Sequence, residues 1–287
     1  TLTLLQSSEQ ARADADGWHF VLIGGRASPA APMADVWLLT LSCVETQWRA
    51  SWRQLDSQTA APASSSSVSP QSFPPRWRHT ATALPDHRVL VYGGLLSPSA
   101  VDPLWYLLAV DFALGAFVVE RKAAPVGDGA FPPARHSHSA VSLMHPLSSS
   151  AGLVYLSGGL TEDGLPLDDA WQFDGHQLTP FSPLLAPRAG HQTVRLAPDR
   201  LLLVGGFAPH STFQCGSSLE LVDLADPSGS RFVGGGDEPP CIPPYVLCGH
   251  QAALIPGSGS ILLIGGGINA YSFGISLNQH LCLAPLH

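Results

Sequence analysis

The chain has 287 residues, 45% of them hydrophobic and 13% charged, which is apolar side chain enough for a large core and, by length alone, for one or two domains. Lys and Arg number 14 against 22 Asp and Glu, a formal net charge of −8, which argues against a broad nucleic-acid-binding face while leaving room for a local basic patch. No apolar run approaches the ~18 residues of a membrane span, and no basic-then-apolar leader opens the chain, so a signal peptide has no support. The five cysteines (Cys43, Cys215, Cys241, Cys248, Cys282) form no Cys-x-x-Cys, so zinc has none either. Their odd number and scatter read as reduced thiols of a cytoplasmic protein, with a Cys241–Cys248 disulfide as the alternative. A chain that opens on Thr1 rather than Met reads as a piece of a longer protein.

In chain order, Thr1-Leu-Thr-Leu-Leu5 is the first candidate strand, and Phe20-Val-Leu-Ile-Gly-Gly25 is the first of five apolar runs closed by a double glycine. The others are Val89-Leu-Val-Tyr-Gly-Gly94, Leu153-Val-Tyr-Leu-Ser-Gly-Gly159, Leu201-Leu-Leu-Val-Gly-Gly206 and Ile261-Leu-Leu-Ile-Gly-Gly266, spaced by 69, 65, 47 and 60 residues. A period of ~50 stretched by insertions is the mark of a kelch-type β-propeller. Each of the last four runs is preceded by a short strand of small and β-branched residues. They are Arg76-Trp-Arg-His79-Thr-Ala-Thr, Arg135-His-Ser-His138-Ser-Ala-Val, Arg188-Ala-Gly-His191-Gln-Thr-Val and Cys248-Gly-His250-Gln-Ala-Ala. Third strands follow at Asp35–Leu41, Leu104–Val110, Asp169–Phe173 and Leu219–Leu224, and fainter outer strands at Trp48–Trp52, Ala116–Glu120 and His176–Thr179. Four strands per unit is one propeller blade. The expected organisation is therefore all-β: one propeller over 1–287 with five visible four-stranded blades and room for a sixth in a longer protein. The blades run over roughly 1–56, 74–122, 133–180, 186–233 and 245–287. The Ser/Pro-rich stretch 57–73, with Ser64-Ser-Ser-Ser67 at its centre, is an inter-blade loop.

His79, His138, His191 and His250 recur once per blade. A ring of metal ligands or bases is one reading. The other, preferred here, is that a residue repeated at one place in every blade repeats one structural task, and Arg76, Arg135 and Arg188 are read the same way. Gly265-Gly-Gly-Ile-Asn-Ala-Tyr-Ser-Phe-Gly274 has the strand of a phosphate-cradling loop but not the helix that must follow, so it reads as blade structure with an unusual hairpin. No Gly-x-Ser-x-Gly, His-Glu-x-x-His or P-loop is present, so no catalytic, cofactor-binding or metal residue is nominated. Arg26, Arg76, Trp77 and Arg78 are candidate exposed base-stacking or phosphate-holding residues at the blade tops, although tryptophans in propellers more often pack between blades.

Several of these stretches also carry a family resemblance. The most specific is Ile261-Leu-Leu-Ile-Gly-Gly-Gly-Ile-Asn-Ala-Tyr-Ser-Phe-Gly-Ile-Ser-Leu-Asn278. It is supported by Trp77-Arg-His-Thr-Ala-Thr, Ala134-Arg-His-Ser-His-Ser-Ala-Val, Pro187-Arg-x-x-His and Gly-Gly-Arg-x-Ser-Pro after Phe20. From about Phe20 to its end the chain resembles the kelch half of the tRNA wybutosine-synthesizing enzymes related to leucine carboxyl methyltransferases; Ala270 stands where relatives often carry Cys. The resemblance implies an S-adenosylmethionine-dependent methyltransferase domain upstream. It also implies methylation and methoxycarbonylation of the modified guanosine beside the anticodon of phenylalanine tRNA, with the propeller framing the substrate. The family's cofactor and catalytic residues belong to that other domain, and none transfers here. The loop residues expected to meet substrate or partner domain are Arg26, Arg78, Asn269, Tyr271 and Phe273. Two other classes compete. A protein-interaction propeller, such as a ubiquitin-ligase substrate receptor, would show more regular blades. A copper–tyrosine oxidase would need a Tyr, His and Cys constellation, of which no pattern is visible.

Overall fold

Alternation of side chains along a strand sends odd and even residues to opposite faces, and a strand covered on both faces reads as an unbroken apolar run. That is the condition of three of the double-glycine strands, Arg88–Tyr92, Val154–Ser157 and Arg200–Val204, in the computed structural model, which describes residues 1–6, 17–28, 30–44, 46–58, 73–84, 87–122, 131–143, 154–208, 219–233, 248–255, 257–258, 260–270, 274–277 and 282–285. Two compact units emerge, Thr1–His136 and Ser137–His287. Among the described residues the only helical element is the 3-10 turn Pro227–Gly229, and no helix is long and apolar enough to cross a membrane.

The first unit holds two sheets. The first is an antiparallel meander of β1 (Leu2–Gln6), β2 (Trp18–Ser28), β3 (Ala31–Val44) and β4 (Gln47–Gln54). The second draws on β5 (Asp56–Gln58), β6 (Thr80–Ala83), β7 (Arg88–Tyr92), β10 (Trp105–Asp111) and β11 (Ala116–Lys122), in the order β5-β11-β10-β7-β6. The small hairpin β8 (Leu95–Ser97) and β9 (Ala100–Val101) stands beside it. Val21, Ile23, Val36 and Leu38 from the first sheet share one core cluster with Ala81, Val89, Val91, Tyr106 and Leu108 from the second. The stretch expected to be loop from Ser57 instead begins with strand β5, which runs parallel to β11 and pairs Asp56 with Ala116. An unpaired outer edge exposes backbone donors and acceptors, and β5 covers it, giving this sheet a fifth strand. The rest of that Ser/Pro-rich stretch, 59–72, lies outside the described residues.

The second unit holds three sheets. They are β12 (Ser139–Ser142) to β15 (Leu178–Phe181), with β13 (Val154–Ser157) and β14 (Ala170–Phe173) between; β16 (Gln192–Ala197), β17 (Arg200–Val204), β18 (Leu219–Asp223) and β19 (Arg231–Phe232); and β20 (His250–Ile255), β21 (Ser260–Gly265) and β24 (Cys282–Pro285). The third outer strand begins at Leu178 rather than His176. The fourth sheet is buried on both sides. Leu201 and Leu203 join Tyr155 and Val222, while Leu202 and Val204 join Ile261 and Leu263. After Gly265 and Gly266 comes a hairpin, β22 (Gly267–Ala270) with β23 (Gly274–Leu277), as the sequence suggested, and among the described residues no helix follows.

Candidate functional site

The Arg-x-x-His loops and the double glycines answer each other. Arg76 is fully buried, its guanidinium carbon 4.9 Å from the Phe73 ring centre and 4.5 Å from that of Tyr106. Its Nη1 donates to the Gly93 carbonyl at 2.9 Å and its Nη2 to Asp102 Oδ2 at 2.6 Å, an oxygen that also accepts from the Tyr106 hydroxyl at 2.8 Å. Arg188 repeats the scheme on Gly205 (3.0 Å) and Glu220 Oε2 (2.7 Å), while Glu220 Oε1 accepts from the Leu185 amide. Burial pushes the Glu220 carboxyl upward, and the Arg188 charge and the Leu185 amide pull it back. The backbone carbonyls of the same arginines then accept from the preceding sheet's second glycine. Gly25 donates to Arg76 at 2.8 Å, Gly94 to Arg135 at 2.9 Å and Gly159 to Arg188 at 2.8 Å. Arg76 and Arg188 thus tie their own glycine turns from within and the neighbouring sheet's from outside.

The histidines take part in the same joint. His79, His138, His191 and His250 are all buried. The His191 Nε2 lies 3.0 Å from Ser157 Oγ on the preceding sheet, and burial, then the Arg188 charge, holds its imidazole well below the usual histidine range. A neutral, enclosed imidazole bonded to a neighbouring strand is a packing element. Among the described residues no group of His, Cys, Asp and Glu is arranged to hold a metal ion.

The exposed candidates gather elsewhere in the first unit. Arg26, one residue past Gly25, is exposed, with its guanidinium carbon 5.9 Å from the Trp77 ring centre. Trp77 itself is only 5% exposed and packs on Leu95, Val101 and Ala134, so it serves as a floor for Arg26 rather than a free stacking surface. Arg78 is exposed and its backbone is left-handed, φ 58°. Behind it His136 is buried, and burial, then the Arg78 charge, lowers its pKa to about 4. Arg26 is therefore set against the Trp77 ring, and Arg78 follows Trp77 in the chain. Asn269 lies on β22 in the second unit, while Tyr271 and Phe273 fall outside the described residues.

Sequence reasoning missed a hollow of about 520 Å³ beside Arg26, lined also by Leu22, Met33, Asp35, Trp37 and Trp52. The Trp37 indole donates to Asp35 Oδ2 within it. Alternation along β2 and β3 was the available signal, because Leu22 pairs with Trp37 on the face opposite Val21, Ile23, Val36 and Leu38.

The family model of the tRNA wybutosine-synthesizing protein 4 β-propeller matches residues 14–280. The tRNA wybutosine-synthesizing protein 4 of Aspergillus fumigatus is 29% identical over 90% of this chain and 24% of its own length. Adagio-like protein 1 of rice (Oryza sativa subsp. japonica) is 26% identical over 89% of this chain and 38% of its own. The chain thus spans between about a quarter and two fifths of these curated relatives. The solved structure of YjhT aligns with TM-score 0.56 at 15% identity, covering 93% of this chain and 72% of that one, a likeness of fold.

Proposed function

The chain belongs to the β-propeller family of tRNA wybutosine-synthesizing protein 4, and on that premise we propose that it is the propeller part of a cytoplasmic tRNA-modifying enzyme. The observation that supports this most is the family match over 14–280. In this reading the propeller frames phenylalanine tRNA for a methyltransferase domain elsewhere in the protein, and that domain carries the S-adenosylmethionine. The residues present here do not fit that cofactor. Among the described residues no double glycine leads into a helix, whose N-terminus would cradle such a ligand. The propeller's part is binding and orientation, and a cleft between domains is a common place for a site.

The test is genetic. A strain lacking the gene is complemented with the natural full-length protein, wild type or carrying Ala at Arg26, Arg78, Asn269, Tyr271 or Phe273. Wybutosine is then measured in its phenylalanine tRNA by mass spectrometry. Wild type should restore the modified nucleoside, and at least one substitution should lower it while protein levels hold. Normal wybutosine in the uncomplemented strain would sink the reading. It would favour a protein-interaction propeller.

A further inference from the structure

The residue before the recurring histidine is left-handed at all four places: Arg78 at φ 58°, Ser137 at 54° and Gly190 at 67° in the three Arg-x-x-His loops, and Gly249 at 64° before His250. The loop geometry demands this conformation. The Gly190 amide donates to the Ser137 carbonyl at 2.7 Å and the Gly249 amide to the Gly190 carbonyl at 2.8 Å, so these residues link sheet to sheet through their backbones. Glycine adopts it freely, whereas a Cβ crowds the following carbonyl. Two copies use glycine. The second sheet instead carries an arginine, the bulkiest side chain of the four.

Among the described residues no hydrogen bond or ion pair of the Arg78 side chain rewards that choice. The Arg78 side chain is exposed and, among the described residues, has no carboxylate partner. Arg26 is likewise exposed, and its guanidinium is held against an indole that cannot turn, since Trp77 is packed on Leu95, Val101 and Ala134. His136, next to Arg78, stays uncharged near neutral pH. Asp35, which shares the hollow with Arg26, is the nearby acidic group, and it takes the Trp37 indole on one oxygen. Two exposed cations, one with its guanidinium 5.9 Å from the Trp77 ring and one following Trp77 in the chain on a left-handed backbone, thus stand on a chain of net charge −8. Backbone strain of this kind persists where it is part of a binding site, and guanidinium groups match phosphate by paired hydrogen bonds.

We propose that Arg26, set against the Trp77 ring, and Arg78, next to Trp77 in the chain, clamp a phosphodiester of the RNA backbone, and that Arg78 is retained there at the expense of stability. The inference rests on the tRNA reading above. The experiment uses the natural full-length protein, with a fluorescein-labelled anticodon stem-loop of phenylalanine tRNA as probe, read by anisotropy over a salt series. Arg78→Gly should weaken binding roughly five- to tenfold and flatten the plot of log affinity against log salt by about 1. It should also raise the propeller's Tm by about 2 °C, since relief of the left-handed strain adds stability. Because this variant is expected to be the more stable one, misfolding cannot account for lost affinity. Arg26→Ala should weaken binding with Tm unchanged. Wild-type affinity and salt slope in Arg78→Gly would overturn the clamp and leave the tRNA reading standing, provided wybutosine is still made. A lower Tm in Arg78→Gly would overturn the claim of stored strain. Equal competition by polyglutamate and by RNA would overturn the assignment to a phosphodiester. Only loss of wybutosine dependence on the gene would bring down both readings together.

Discussion

Two buried tyrosines show how much one hydroxyl depends on its surroundings. Tyr92 donates to the Pro132 carbonyl at 3.0 Å, whereas the Tyr155 hydroxyl is enclosed with no hydrogen-bond partner among the described residues. Burial, then the Glu220 charge, raises the Tyr155 pKa, so the phenol stays protonated. A satisfied buried hydroxyl contributes about 1 kcal/mol, and an unsatisfied one costs about as much or more. Tyr92→Phe should therefore destabilise the chain by about 1 kcal/mol, while Tyr155→Phe should be neutral or stabilising. Urea midpoints of the two variants decide it, and equal losses would mean that Tyr155 has a partner after all. The same reasoning at Arg76 and Arg188 explains why both can be fully buried. Each guanidinium meets a carboxylate and a glycine carbonyl, so no charge is left bare.

Between elements, the double glycine is where neighbouring sheets meet. Gly158 has φ 59°, and a Cβ there would stand 2.4 Å from the Arg188 carbonyl oxygen and 3.0 Å from the His191 ring. Gly164 is also left-handed, φ 76°, but a Cβ on it would meet nothing within 4 Å. Alanine at either site carries the backbone penalty of about 1 kcal/mol. At Gly158 it must also push the Arg188 loop away and loosen the Gly159–Arg188 hydrogen bond, for a total of about 3 kcal/mol or more. Chemical denaturation of Gly158→Ala and Gly164→Ala separates the two terms. Similar losses would show that the glycine is needed for its φ alone, not for close approach.

For the molecule as a whole, charge limits what the propeller can bind. With 14 basic against 22 acidic residues, the chain repels a polyanion except where a few cations are concentrated. The chain of 287 residues should not retain random-sequence duplex DNA at physiological salt, with Kd weaker than about 10⁻⁴ M. Anisotropy titration with labelled duplex checks this. Tight binding would point to a basic surface beyond Arg26 and Arg78.

Much of this architecture is legible in the sequence. The Gly-Gly and Arg-x-x-His repeats marked the strands because they recur wherever one sheet must meet the next. The buried positions of His79, His138, His191 and His250 followed from that repetition. What the residues could not reveal was which long-range partners they find. Asp102 and Glu220 stand at different places in their sheets yet receive equivalent arginines, and β5 crosses to the edge of the second sheet rather than its own. The meeting of Arg26 with Trp77 brings together residues 51 positions apart, one on strand β2 of the first sheet and one ahead of β6 of the second. Local sequence specifies strand, turn and face, since these depend on near neighbours. Which side chains converge into a site depends on how the sheets pack, and only the folded chain decides that.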